Sequence, residues 1–281
     1  MVFWGASFVA VKEALREIAP ATVVWLRFAI GIAVLAVAVA ARGQFRLPRP
    51  RDLPYFALLG FLGVMLHHWL QSNGLLTAQA STSAWIITTI PIFAALLGRL
   101  VLRERLGHLG VLGIALAAAG VLLVVSRGEP GALLRGSFGA PGDVLILLSA
   151  PNWAVFTVLS RRSLRDHPAA RMMFFVMVLG WLGTFVPFLA GPGFADIARL
   201  TLRGWLAVLF LGLACTGLGY IFWYDALEAL PVSRVTVLQY LQPLVAMAVA
   251  IAIGQEAFVP ITLAGGAVII VGVWLVNRRA H

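Results

Sequence analysis

Long apolar runs separated by short polar gaps dominate this sequence. Read against proline, glycine and charged residues, the runs form ten segments, most of them near the roughly 20 residues that a helix needs to cross a bilayer. An isolated apolar segment can satisfy its backbone in lipid only as a helix. We therefore predict an all-α integral membrane protein with transmembrane helices at about 1–17, 20–41, 52–75, 79–101, 107–126, 141–161, 170–190, 204–225, 230–253 and 258–277.

The first apolar run differs from a secretory signal peptide in the position of its charges. Lys12 and Arg16 follow the apolar stretch instead of preceding it, and no small-residue cleavage site ends it. The run is also short for a membrane span. We therefore expect the natural start to lie upstream, with this numbering beginning inside the first helix.

The composition is that of a protein enclosed by lipid. Hydrophobic residues make up 61% of the 281 residues and charged residues 11%, with a mean hydropathy of +0.97, whereas soluble domains carry about 25% charged residues. The net charge of +10 does not indicate a nucleic-acid partner, because the basic residues lie in short gaps between apolar runs. The single cysteine, Cys215, excludes an intrachain disulfide and is interpreted as a packing residue.

Lys and Arg are unevenly divided between alternate gaps, with fourteen on one side and six on the other. Cytoplasmic loops carry the excess of such residues. We therefore predict a multi-pass protein of the cell inner (plasma) membrane with both termini in the cytoplasm. The cytoplasmic set is Arg42, Arg46, Arg49, Arg51, Arg99, Arg103, Arg105, Arg161, Arg162, Arg165, Arg171, Arg234, Arg278 and Arg279; the opposite set is Lys12, Arg16, Arg127, Arg135, Arg199 and Arg203.

The two halves of the chain resemble each other. An offset of 152 residues aligns Ser81 with Ser233, Pro91 with Pro243, Glu104 with Glu256, Gly113 with Gly265 and Gly120 with Gly272, and an offset of 149 aligns Trp4 with Trp153. We predict a first repeat at 1–127, a linker at 128–140 and a second repeat at 141–281. Because each repeat has five spans, the second must enter the membrane from the opposite side. Inverted repeats of this kind are common in secondary transporters, with the substrate site near the midplane between them.

Several motifs carry a resemblance to a known family. They are the stretches 3–12, 26–28, 89–91, 103–105, 153–162, 219–227, 242–244 and 254–256. With them the chain resembles the drug/metabolite transporter superfamily, in its ten-helix branch with two EamA domains, and is most similar to the YddG-type amino-acid exporters. The resemblance implies export of amino acids, drugs or other metabolites. The residue before the second-half proline is often glutamate in EamA domains but is Gln242 here, with Ile90 at the matching position, so no mechanism that uses a carboxylate there transfers to this chain.

Two prolines at matching positions, Pro91 and Pro243, are predicted to lie within spans. Each removes an amide hydrogen and crowds the carbonyl four residues earlier. In lipid, such a break is found against protein or a water-filled cavity. We interpret the pair as hinges beside the substrate, with an ordinary packing kink as the alternative.

Polar and aromatic residues within the spans are the candidate substrate contacts. His68, Gln71 and Ser72 share one helical face in the third span, and uncompensated polar groups in hydrocarbon usually face the bundle interior. Interhelical hydrogen bonds or packing are the alternative at each position. The predicted substrate-binding residues are Trp4, Ser7, His68, Gln71, Trp85, Thr88, Asn152, Trp153, Phe156, Tyr220, Trp223, Gln239 and Tyr240.

Charged residues inside the spans are few. Arg27 lies in the second span, where it meets a substrate carboxylate, extends outward to the interface or forms a structural pair, and the last two interpretations are favoured. Asp and Glu are confined to span ends, whereas proton- and cation-driven carriers usually place a carboxylate at depth. This pattern favours an uncoupled facilitator, although histidine could take the role of a proton-carrying group.

Taken together, the sequence predicts an exporter of small amphipathic metabolites, in particular amino acids including aromatic ones, by alternating access at a central cavity. A proton-coupled drug or metabolite efflux carrier is the alternative within the class, and an intramembrane enzyme or a channel are the alternatives outside it. No catalytic residue, metal site or cofactor is predicted. We expect a small-molecule substrate and the lipid bilayer as partners, and a monomer, with a homodimer as the alternative.

Overall fold

The computed structural model describes residues 1–102, 108–127, 139–164, 166–229 and 238–277, and the regular structure in these residues is helical. In chain order the helices are α1 (Val2–Ala14), α2 (Pro20–Ala41), α3 (Pro50–Gly74), α4 (Ala80–Ile87), α5 (Ile90–Leu102), α6 (His108–Val125), α7 (Pro141–Ser163), α8 (Ala169–Ala190), α9 (Phe194–Arg199), α10 (202–229), α11 (Leu238–Ala252) and α12 (Pro260–Asn277).

Six of the described helices are long and apolar enough to cross a membrane: α2, α3, α6, α7, α8 and α10. α4 with the start of α5, α11 and α12 are shorter apolar helices. The prediction of an all-helical membrane protein is thereby confirmed. The first part of the segment predicted at 230–253, and residues 128–138 of the predicted linker, lie outside the described residues.

The outer surface of the bundle is apolar. Large hydrophobic side chains point outward from several helices, among them Val37, Val111, Val186 and Leu206, each more than half exposed. In water such a surface would form an aggregating patch, whereas lipid tails solvate it without a hydrogen-bonding requirement.

Two helices contain a π-helical segment at matching positions, which the sequence analysis did not predict. In α3 the segment is Phe61–Leu66, and in α10 it is Phe210–Leu218. A π segment shifts the hydrogen-bond ladder from i→i+4 to i→i+5 and disturbs the backbone pairing locally. The 152-residue offset brings 61–66 onto 213–218, which lies within the π segment of α10, so the irregularity belongs to both halves of the chain.

The predicted helix at 79–101 is two helices. α4 ends at Ile87, Thr88 and Thr89 form a turn, and α5 begins at Ile90. Pro91 therefore lies in the first turn of a helix, where a missing amide hydrogen is tolerated. In the second half, a 3₁₀ turn at Leu238–Tyr240 precedes the α-helical part of α11, so Pro243 also lies in a first turn. Both prolines thus follow an interruption instead of kinking a continuous helix.

One short helix, α9, lies between the predicted spans at 170–190 and 204–225. It has six residues and begins after Gly193, whose φ of 56° lies in the left-handed region. Six residues give less than two turns, too few to produce a recognisable helical period.

Glycines bring α6 and α12 into close contact. A Cβ placed on Gly113 would lie 2.5 Å from the carbonyl oxygen of Gly272, and one on Gly120 would lie 2.8 Å from that of Gly265. The earlier glycine of α6 contacts the later glycine of α12, and the later glycine of α6 contacts the earlier one of α12. The two helices therefore run antiparallel. The 152-residue offset exchanges these two contacts, because it relates Gly113 to Gly265 and Gly120 to Gly272.

A second pair of glycine contacts follows the same relation. Gly31 of α2 packs against Thr216 and the carbonyl oxygen of Gly212 in α10, while Gly180 of α8 packs against Gly60 in α3. The 149-residue offset relates Gly31 to Gly180, and the 152-residue offset relates Gly60 to Gly212. The pair α2–α10 is thus the counterpart of the pair α3–α8, and each pair joins one helix from each half of the chain.

The tight contact at Gly180 generates a stability prediction. We expect Gly180→Ala to destabilise the fold by about 1–3 kcal/mol, because its Cβ would lie 2.6 Å from the Gly60 carbonyl oxygen and 2.6 Å from the Val64 Cβ. The measurement is the apparent melting temperature of the purified protein in detergent.

Gly183→Ala on the same helix is the matched control. Its Cβ would meet only the Met65 sulfur, at 3.3 Å, and alanine is the better helix former by about 1 kcal/mol. We expect the control to melt at the wild-type temperature or above, and equal losses in the two variants would contradict the packing argument.

Candidate functional site

A buried arginine connects the middle of the α2–α10 pair to α3. Arg27 is 4% exposed. Its Nε donates to Thr216 Oγ1 at 3.2 Å, and its Nη1 lies 3.4 Å from His68 Nδ1. The guanidinium carbon lies 5.6 Å from the ring centre of Phe28. The interpretation that this side chain extends outward to the interface is therefore wrong, because both of its polar contacts lie inside the bundle.

The hydrogen-bond partners assign the proton positions of the two adjacent histidines. Arginine N–H groups only donate, so His68 Nδ1 accepts and the neutral ring of His68 carries its proton on Nε2. His67 Nδ1 lies 3.2 Å from the carbonyl oxygen of Ser149, which only accepts, so His67 carries its proton on Nδ1. Among the described residues, His68 Nε2 is buried and has no hydrogen-bond partner.

Aromatic rings form two clusters, one of which contacts this polar group. In the first, Trp153 lies 4.4 Å from His67 and 4.9 Å from Phe156, measured between ring centres. In the second, Trp4 lies 5.5 Å from Tyr220 and 5.3 Å from Trp223. Phe156 and Tyr220 belong to one apolar cluster, and Trp4, Trp153 and Trp223 pack against it.

Side chains from α1 and α7 bind carbonyls of the two π segments. Trp4 Nε1 donates to the carbonyl oxygen of Cys215 at 2.9 Å, and Asn152 Nδ2 donates to that of Leu62 at 2.8 Å. Trp4 and Asn152 lie in helices that the 149-residue offset relates, and the two π segments they bind lie in helices that the 152-residue offset relates. The buried thiol of Cys215 donates to the carbonyl oxygen of Phe3 at 3.2 Å, in agreement with its predicted packing role.

The remaining predicted contacts lie in several places. The hydroxyls of Ser7 and Thr88 donate to carbonyls of their own chain segment, those of Trp4 and Trp85. Trp85 is buried with α6 and α12, against Gly266, and Tyr240 packs on the same cluster. Gln71, Gln239, Tyr240 and Trp223 are half-buried. The structure thus gathers His68, Trp153, Phe156, Trp4, Tyr220 and Trp223, and it places Trp85 and Tyr240 in a separate cluster.

One end of the bundle, which we call the capped face, is closed by hydrogen bonds between loops and helix ends. Lys12 Nζ donates to the carbonyl oxygen of Ala78 at 2.5 Å, and Glu256 accepts from the Ala80 amide at 2.6 Å and from the Ser81 hydroxyl. Asp196 accepts from the Ala19 amide and from Thr22 Oγ1, both at 2.8 Å. Arg203 pairs with Glu13 at 2.5 Å. Each of these contacts joins the first half of the chain to the second, apart from the one at Lys12.

At the opposite end, Arg42 of α2 donates to both carboxylate oxygens of Asp225 in α10, at 2.8 and 2.7 Å. These hydrogen bonds hold the pKa of Asp225 below its ordinary value. Both side chains are more than a third exposed, so solvent screening limits the pair to about 1 kcal/mol or less. At the capped face, hydrogen bonds from Thr201 likewise lower the pKa of Glu17.

A comparison of the chain with protein-family models finds a match at residues 1–126 and 140–278 to the family described as "EamA-like transporter family". The chain belongs to this family. It is therefore a membrane transporter, and the resemblance stated from the motifs is confirmed. Within the described residues, no group of three His, Cys, Asp or Glu side chains could hold a metal ion.

Several curated proteins are similar over nearly their whole length. A "Probable terminal-alkyne amino-acid exporter" of Streptantibioticus cattleyicolor is 29% identical over 99% of this chain and 91% of its own length. A "Probable amino-acid metabolite efflux pump" of Escherichia coli is 25% identical over 98% and 91%. An "Uncharacterized transporter" of Archaeoglobus fulgidus is 28% identical over 99% and 96%. A solved crystal structure shares the fold, with a TM-score of 0.68 and 24% identity over 98% of this chain and 92% of its own.

Two members of the polar cluster were missing from the predicted set of contacts, Arg27 and His67. Arg27 is a single arginine in an otherwise apolar run, which indicates a special role. The direction of its side chain, however, depends on where α2 meets α10. His67 is adjacent to His68 and thus about 100° away on the helix, which favoured a position outside the cavity wall. The partner helix α7 lies on that side and buries it against Ser149.

The Asn152 contact generates a second stability prediction. We expect Asn152→Ala to lower the free energy of unfolding by about 0.5–2 kcal/mol, because the Leu62 carbonyl in the π segment loses its amide donor. The measurement is again the apparent melting temperature in detergent. Asn73→Ala is the control, since that amide only donates to Trp69 four residues earlier in its own helix; a loss as large in the control would show that the interhelical bond has no special weight.

Proposed function

We propose that the protein exports small amphipathic metabolites, in particular amino acids including aromatic ones, across the cell inner membrane by alternating access. The observation that carries this proposal is the cluster around His68. It combines a buried cation, two histidines and two groups of aromatic rings, and its members come from both halves of the chain. Such a mostly apolar site with few polar contacts suits small organic ligands.

The symmetry of the contacts supports two inverted repeats of five crossings each. Corresponding helices α6 and α12 run antiparallel with exchanged glycine contacts, and the α2–α10 pair has its counterpart in α3–α8. A twofold relation of this kind, with its axis in the membrane plane, places a substrate site where the repeats meet. The excess of Lys and Arg on the side of Arg42 assigns that side to the cytoplasm, so the capped face is external.

Export then requires the capped face to open. Lys12 on α1 and Glu256 after α11 hold the segment that begins α4, through Ala78, Ala80 and Ser81. These bonds have to break before a substrate beside His68 reaches the outside. The helix interruptions before Pro91 and Pro243 are the natural hinges, because a turn absorbs a change in φ and ψ without breaking a helical ladder.

We infer that transport is uncoupled from protons. The buried carboxylates among the described residues, Glu13, Asp143 and Asp196, all lie near helix ends, whereas coupling groups usually lie at depth. The second candidate is a proton-coupled carrier, and the observation that favours it is the buried pair His67 and His68. The names of the relatives from Streptantibioticus cattleyicolor and Escherichia coli support an amino-acid substrate.

The transport proposal predicts the outcome of flux measurements in proteoliposomes. With a panel of radiolabelled amino acids, we expect counterflow of aromatic and apolar ones at rates that do not change when a pH gradient is imposed. Protein-free liposomes are the control. Proton-driven accumulation of an amino acid against its gradient would show that the protein is a proton-coupled carrier and not an uncoupled facilitator. Flux of another solute without any amino-acid flux would show that amino acids are not the substrates.

The topology predicts the reactivity of introduced cysteines. Arg49 between α2 and α3, and Arg199 at the end of α9, are both exposed and are separated by five proposed crossings. With a membrane-impermeant maleimide, we expect Arg199→Cys to react in intact cells and Arg49→Cys only in inside-out vesicles. The wild-type protein is the background control, because Cys215 is buried. Labelling of both positions from the same side would disprove the odd number of crossings.

A further inference from the structure

The polar group at Arg27 is present at one of the two related helix pairs, α2–α10, and its counterpart is absent from the other pair, α3–α8. The 149-residue offset relates Arg27 to Val176, and the 152-residue offset relates Thr216 to Val64 and His68 to Tyr220. The glycine contacts of the two helix pairs are equivalent, so the same helix junction forms around Arg27 and Thr216 in one place and around two buried valines in the other. The fold itself therefore does not require a cation at this junction.

The buried cation lacks an anionic partner among the described residues. Its contacts there are Thr216, His68 and the Phe28 ring, none of which carries a negative charge. A charged group inside a membrane protein ordinarily pairs with an opposite charge, and an unpaired guanidinium in a site of low dielectric constant attracts an anion strongly. Arginine also presents its N–H groups in a planar fork that matches a carboxylate.

A second, independent donor lies beside this cation. His68 is 6% exposed, and because Nδ1 accepts from Arg27, its proton is on Nε2. That nitrogen has no partner among the described residues. An unpaired buried donor is a group for which a ligand acceptor relieves the cost of lost hydration.

We propose that Arg27 and His68 form a subsite for the carboxylate group of the substrate, with the guanidinium and the Nε2–H of His68 as donors. The apolar part of the substrate then lies against the rings of Trp4, Tyr220 and Trp223, because Phe28, which contacts both Arg27 and His68, belongs to the same apolar cluster as Tyr220. This inference rests on the proposed function and narrows its substrate class to small organic carboxylates, zwitterionic amino acids among them. Amides, esters and amines of the same carbon skeleton are excluded.

The test compares each acid with the matching amide, which lacks the carboxylate. Binding of L-phenylalanine, L-phenylalaninamide, 3-phenylpropionate and 3-phenylpropionamide is measured by ligand-induced shifts of the melting temperature in detergent, for the wild type and for Arg27→Gln. We expect the wild type to prefer each acid over its amide by at least about tenfold in Kd. Arg27→Gln is expected to weaken acid binding on the order of 10- to 100-fold and amide binding by less than about twofold.

Histidine variants test the donor assignment. Glutamine at position 68 brings an amide nitrogen to the place of Nε2, whereas asparagine reaches only the place of Nδ1. We expect His68→Gln to keep the preference for acids and His68→Asn to lose it. Asn73→Ala on the same helix is the matched control, because that amide donates to the carbonyl oxygen of Trp69 in its own helix, and it is expected to leave the preference unchanged.

The possible outcomes separate this inference from the proposed function. If phenylalanine is transported but acid and amide bind equally, or if Arg27→Gln weakens both equally, the carboxylate subsite is wrong while amino-acid export stands, and Arg27 has only a structural role. If phenylpropionate binds with the expected dependence on Arg27 and His68 but no amino acid is transported, the subsite stands and the amino-acid substrate is wrong. Binding of neutral or cationic compounds alone overturns the subsite.

Discussion

The bilayer interior offers no water, so every polar group in it has to find its partner within the protein or in a ligand. This constraint explains the irregular parts of the structure better than the regular ones. Ordinary helices satisfy their own backbones, but the π segments of α3 and α10 present carbonyls that Asn152 and Trp4 bind from neighbouring helices. The hydroxyls of Thr88 and Thr89 bind the carbonyls of Trp85 and Ile86 where α4 ends. Helix irregularity in this protein is therefore tied to particular side chains.

Much of the helical architecture was predictable, because hydropathy and span length follow directly from the solvent. The likeness of the two halves was also visible in the sequence, since glycine, proline and glutamate matched at one offset. The π segments were not predictable, because a π turn contains only about one residue more than an α-helical turn and leaves the apolar pattern intact. The division of 79–101 into two helices was missed for a related reason, because Thr88 and Thr89 bind their own chain and so conceal the break.

The site residues divide along similar lines. The positions of His68, Trp153 and Tyr220 followed from polar or aromatic character deep within spans. Trp85 did not join them, because its direction depends on the close approach of Gly266 in α12, and no local pattern encodes that approach. Arg27 was ambiguous for the same reason. An arginine seven residues into a helix can reach the interface in isolation, and only the packing of α2 on α10 turns it inward to Thr216.

The hydrogen bonds of the capped face and those of the centre differ in what can replace them. When Glu256 releases the start of α4, water from the adjoining aqueous phase can occupy the freed amides of Ala80 and Ser81, so the exchange is nearly isoenergetic. No such reservoir reaches Arg27 and His68 while both ends are shut. Under the proposed alternating access, an unloaded carrier in a doubly closed state would leave the charge of Arg27 without an anionic partner, whereas a carrier loaded with a carboxylate would not. The proposed mechanism therefore implies that the loaded molecule reorients faster than the empty one, and that exchange of one solute for another is faster than net one-way release.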